Sequence, residues 1–172
     1  GMAWDDLGDP RKAIAYYEQA LKIDRNVYGQ EHHDVAADLN NLGLAWKTLG
    51  EIKKAIAYYE QALTIDRNVF GEVHSAVARD LNNIGSAWNA LGDPCKAIVY
   101  YEQALTIDRN VYDQEHPDVA IHLNNLGVAY LEMGQKEKAK AYFDQAYKIK
   151  LKFYGADHPS SKITAGWLEK CR

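Results

Sequence analysis

One interval governs this chain. Gly8, Gly50, Gly92 and Gly134 lie 42 residues apart, and His32, His74, His116 and His158 keep the same spacing. So do Ala13, Ala55, Ala97 and Ala139. Residues 9–50 and 51–92 agree at about two positions in three, more than shared helical composition produces. A period of this length marks a solenoid, propeller or array, in which each unit buries its apolar face against the next.

The pattern inside the period is helical. Leu39, Leu42, Trp46 and Leu49 recur at spacings of three and four, which places them on one stripe of a helix over about 35–49. Ala55, Ile56, Tyr59, Ala62, Leu63 and Val69 form the apolar side of a second helix running to about Phe70. Small Ala55 and Ala62 let a neighbouring helix approach, with Tyr59 filling the space between them. Gly50 supplies the left-handed turn between the two helices, and Gly29, Gly71 and Gly155 stop the second ones. Asp113 replaces glycine at the third stop and is expected to take the left-handed conformation at some cost. Asp9-Pro10 and Asp93-Pro94 are helix-start signals, whereas Glu51-Ile52 is a weaker one. Pro117 and Pro159 are expected in the first turn of the next helix. The expected fold is all-α, a solenoid of antiparallel helix pairs over 1–172. Its divisions are a partial first helix at 1–8, a second helix and loop at 9–34, repeats at 35–76, 77–118 and 119–159, and a capping helix at 160–172. Gly1-Met2-Ala3-Trp4 aligns with Gly43-Leu44-Ala45-Trp46, as a piece of a longer array would, or as a cloning scar that happens to match.

Composition narrows the function classes. The chain has 172 residues, 47% hydrophobic and 26% charged, with a formal charge of −4. No run reaches the roughly 18 apolar residues of a spanning helix, and no Lys/Arg block offers a footprint for nucleic acid. Cys95 and Cys171 stand in no metal-ligand spacing and read as reduced thiols of a cytoplasmic protein. One histidine per unit does not make a metal site, since successive copies lie on the order of 10 Å apart. Each is expected to cap or pack. Tyr17, Tyr59, Tyr101 and Phe143 follow the period, as do Trp4, Trp46, Trp88 and Tyr130, so these aromatics are read as core. No nucleophile–base–orienter set converges, so neither enzyme nor cofactor is expected.

Leu39, Leu42-Gly43, Trp46, Gly50, Ala55, Tyr59 and Ala62 resemble the tetratricopeptide repeat. His-Pro-Asp-Val-Ala at 116–120 and Leu-Asn-Asn-Leu-Gly at 123–127 look like its long-repeat subfamily, seen in kinesin light chains and nephrocystin-like proteins. Arg67 stands where the shorter unit often ends in proline, so the second helix continues. The resemblance implies a right-handed superhelix whose first helices line a concave groove that binds extended or helical peptides.

Candidate groove residues follow. Asn40-Asn41, Asn82-Asn83 and Asn124-Asn125 flank the core stripe, and the resemblance turns Asn41, Asn83 and Asn125 toward the groove. An amide matches a peptide N–H and C=O together. Alternatively, these side chains bond neighbouring first helices and fix the stacking. Ala37, Arg79 and Ile121 lie near one end of the groove, with Leu44, Ser86 and Val128 about two turns on. Arg79 either receives a peptide carboxylate or pairs with Asp80 or Asp38. Trp167 is either an exposed anchor or the plug of the capping helix. The expected function is a non-catalytic scaffold for a protein or peptide partner, with no membrane or nucleic-acid role. The alternatives are a spacer that self-associates end to end through its terminal units, or the sensor arm of a larger signalling protein.

Overall fold

The computed structural model describes residues 9–172, so the expected partial helix at 1–8 and Trp4 lie outside the described residues. Helix follows helix: α1 Pro10–Tyr28, α2 His33–Thr48, α3 Ile52–Phe70, α4 Ser75–Ala90, α5 Pro94–Val111, α6 Pro117–Glu132, α7 Lys136–Tyr154 and α8 Pro159–Lys170. No strand occurs among the described residues. Each helix packs on the next in sequence, and α2, α4 and α6 also touch one another in turn. Those first helices therefore lie on the inner, tighter side of a right-handed α-solenoid.

The caps explain where the helices begin and end. Asp9 and Asp93 accept from the Lys12 and Lys96 amides at 3.3 and 3.0 Å, with proline in the first turn behind each. Glu51 makes no such bond. The periodic histidines are the caps of the first helices. Nδ1 of His32, His74, His116 and His158 accepts from the Asp34, Ala76, Asp118 and Ser160 amides at 3.2–3.3 Å. Each imidazole also stacks on an aromatic at the end of the preceding helix or just past it, Tyr28, Phe70, Tyr112 or Tyr154. First helices thus start directly after histidine, two residues before the expected Val35.

Asp113 departs from expectation. No residue other than glycine has positive φ among those described. Helix α5 instead stops at Val111, Tyr112 turns extended, and the Asp113 carboxylate accepts from the Glu115 amide at 2.9 Å. The side chain closes the turn that glycine closes elsewhere with its backbone.

Each first helix meets its second helix through a glycine against an aromatic ring. A Cβ on Gly85 would lie 2.8 Å from Tyr101 Cδ1, and one on Gly127 2.6 Å from Phe143 Cε1. The ring occupies the place a side chain would need, so Leu-Gly in the first helix and Tyr or Phe in the second are one packing unit. Tyr17, Tyr59, Tyr101 and Phe143 are buried. Trp46, Trp88 and Tyr130 are half-buried against the cores on either side, under Lys54, Lys96 and Lys138. Trp167 stacks on Phe143 and packs with Ala139 and Cys171, the arrangement of a plug.

Candidate binding groove

The paired asparagines lie at the junction of successive first helices and are bonded across it. Asn83 donates to Asn40 Oδ1 at 3.0 Å, and Asn125 donates to Asn82 Oδ1 at 2.8 Å. At the last junction Thr164 of α8 donates to Asn124 Oδ1 at 2.9 Å, because Gly166 and Trp167 replace the pair there. The first asparagine of each pair is thus the acceptor, and Asn83 and Asn125 are the donors. Asn40 is buried, and the other five are half-buried. Leu44 is 49% exposed, Ser86 and Val128 are half-buried, and Lys47 donates to Ser86 Oγ. Burial holds the Lys47 ammonium below its ordinary value.

Beside this ladder runs a second polar column. Position 24, 66, 108 or 150 on the second helix faces position 38, 80, 122 or 164 on the next first helix. The pairs are Asp24–Asp38, Asp66–Asp80, Asp108–His122 and Lys150–Thr164. Asp66, Asp80, Asp108, His122, Lys150 and Thr164 are all buried. Asp108 Oδ2 and His122 Nε2 are 2.8 Å apart, and Lys150 donates to Thr164 at 2.8 Å. The ladder ties into this column: Asn40 donates to Asp80 Oδ1 at 2.6 Å, and Asn82 Oδ1 lies 3.1 Å from His122 Nδ1.

Two carboxylates in one dry place cannot both ionise cheaply. Burial, with Asp66 beside it, pushes the Asp80 carboxyl up to about 7 against the pull of Arg79. Burial, with Asp24 and Asp34 nearby, pushes Asp38 up to about 6. Asp66 is raised by the same desolvation. Arg79 lies over the middle pair: Nη2 donates to Asp66 Oδ2 at 3.0 Å and to Asp80 Oδ1 at 3.3 Å. Its pairing is therefore with Asp66 and Asp80; Asp38 takes no part.

The rest of the groove gathers at one end. A cavity of about 460 Å³ opens between the starts of α2, α4 and α6 and the ends of α3 and α5. Ala37, Arg79, Ile121 and Asn82 line it, together with Asp66, Asp108 and His122. Leu44, Ser86, Val128 and the second asparagines lie outside that lining. His32, His33 and Asp34 also come within 4.8 Å of one another at their ligand atoms, a grouping that counting one histidine per unit overlooks. His32 Nδ1 is already the helix cap there.

The buried column is the feature that sequence reasoning missed. Its signal was the period itself: Ile-Asp-Arg-Asn recurs at 23–26, 65–68 and 107–110, with a charge fixed inside an apolar stripe. A charged residue locked to the packing period deserves the same inference as an aromatic one.

Comparisons with known proteins agree with this architecture. The tetratricopeptide repeat pattern matches residues 5–68, 47–110 and 76–152. Two crystal structures of a Podosopora anserina protein assigned as a kinesin light chain, with nearly identical TPR-like repeats, share the fold. Their TM-scores are 0.81 and 0.80 at 23% identity, covering 99% of this chain and 80% and 81% of those chains. BtubC (BKLC) from P. vanneervenii is 34% identical over 91% of this chain and 62% of its own, with a TM-score of 0.79. Among curated proteins none matches. The chain belongs to the tetratricopeptide repeat family, in its long-unit, kinesin-light-chain-like form.

Proposed function

We propose that this chain is a non-catalytic scaffold that binds a peptide segment of a partner protein along the inner face of α2, α4 and α6. Family membership supports an interaction role. The observation that carries the finer reading is the half-used amide row. Asn83 and Asn125 each spend one N–H on the preceding unit, and their side-chain carbonyl oxygens take no bond within the described residues. A peptide main chain could meet those oxygens, with Leu44, Ser86 and Val128 choosing its side chains. Two free thiols suit the reducing cytoplasm as its location. No helix among the described residues is long and apolar enough to cross a membrane.

The test is a peptide selected from a random library against the whole chain. Leu44→Glu and Asn83→Ala should each weaken it by about tenfold with helicity kept, on the order of 1.4 kcal/mol. Val99→Asp, on an exposed position of α5, should leave binding unchanged. A peptide indifferent to both groove changes contradicts the reading.

A further inference from the structure

The buried column changes its charge from unit to unit, and one step lacks a donor. In the second unit Arg79 reaches from α4 back to Asp66 on α3. The equivalent of Arg79 is Ala37 in the unit before and Ile121 in the unit after. Asp108, the equivalent of Asp66, is 3% exposed and bonded through Oδ2 to His122. Its Oδ1 is buried with no hydrogen-bond partner among the described residues. Asp66 Oδ1 also lacks a donor, yet Asp66 shares a hydrogen bond with the raised carboxyl of Asp80. Asp108 has the His122 imidazole in that place, with Nε2 2.8 Å from Oδ2.

Asp108 lines the 460 Å³ cavity, with Ile121 and Tyr112 beside it. We propose that this cavity receives an arginine side chain of the partner polypeptide, whose guanidinium donates to Asp108 as Arg79 donates to Asp66 one unit earlier. The proposal rests on the groove reading above and adds the chemistry of one ligand residue.

Three features favour this occupant. A buried carboxylate oxygen without a donor is costly, and a ligand that supplies one recovers that cost. Asp66, Asp108 and Asp118 line the cavity with Arg79 and with His33, His74 and His122, and the Arg79 guanidinium is already spent on Asp66 and Asp80, so an anionic side chain is disfavoured. Ile121 and Tyr112 offer apolar surface to the arginine stem while the planar head sits on the carboxylate. Arg79 itself shows how this fold holds a guanidinium at that position, 50% exposed on one side and bonded to a carboxylate on the other.

The experiment uses the full chain and a random dodecapeptide library displayed on phage. Selected peptides should share an arginine, and a synthetic twin with citrulline in its place should bind about tenfold more weakly. In Ile121→Arg the protein's own guanidinium would take Asp108, so the arginine–citrulline ratio should fall to about twofold or less. Ile121 is 46% exposed, so that substitution keeps the helix. Asp108→Asn should lower the ratio in the same way. Peptides weakened by Asn83→Ala but lacking a basic residue would overturn the proposal and leave the scaffold reading standing. So would an arginine–citrulline ratio unchanged in Ile121→Arg. A library that yields no binder overturns the scaffold reading and this proposal together.

Discussion

Asp80 is wholly buried in a first helix whose neighbours Val77, Ala78 and Leu81 are core. It is tolerated because Asn40 from α2, Arg79 beside it and the hydrogen bond with Asp66 on α3 surround it with partners. His33 and His74 add positive field around Asp66 when protonated. The consequence is a pH dependence of unusual sign. The folded-state value of about 7 lies above the ordinary 3.8, so native Asp80 keeps a proton that the unfolded chain releases. Stability from this group is therefore present below about pH 4 and lost as pH rises toward about 7. Asp80→Asn keeps the acceptor for Asn40 and can donate its amide N–H to Asp66. It should stabilise the protein at pH 8 by on the order of 1–3 kcal/mol and flatten the profile between pH 4 and 7 in urea melts. A less stable variant at pH 8 would contradict the shared-proton description.

At the scale of the element, the four described turns that enter long second helices, at Asp9, Glu51, Asp93 and Gln135, form a natural comparison. Two carry a carboxylate cap, and Glu51 and Gln135 make no side-chain cap bond. Glu51→Asp shortens the side chain to the length that reaches the third amide, and should raise stability by about 0.5–1 kcal/mol in thermal melts. No gain would mean that packing of α3 alone sets its start. Helices were legible in the sequence to within about two residues because Leu39, Leu42 and Tyr59 obey a geometric period. The Asp113 turn was not, because nothing local distinguishes an aspartate that takes positive φ from one that bonds the amide two residues on. The buried pairs were hidden for a related reason. Asp66 alone on a helix reads as solvent-facing, and its partner lies fourteen residues away, across a turn that only the folded hairpin closes. The groove candidates fared in between. Arg79 and Asn82 meet at the cavity; the bond from Asn125 to Asn82 is the alternative that the paired asparagines left open, while the pairing of Arg79 with Asp66 could not be read from spacing.

Across the whole molecule, each unit leans on the next through the same two polar rows. Their composition drifts from paired carboxyls near α1, through an acid–imidazole pair, to Lys150 at the far end. A stack built this way is held mainly by nearest neighbours. It presents one continuous inner face whose polar pattern differs at every step, the arrangement a directional ligand requires. On the proposed reading a partner peptide lies along that inner face. The most direct measurement is hydrogen–deuterium exchange on the full chain with and without a library-selected peptide. Protection should concentrate in α2, α4 and α6, leaving the exposed faces of α3 and α5 unchanged. Protection confined to α3 and α5, or to the end helices α1 and α8, would contradict it.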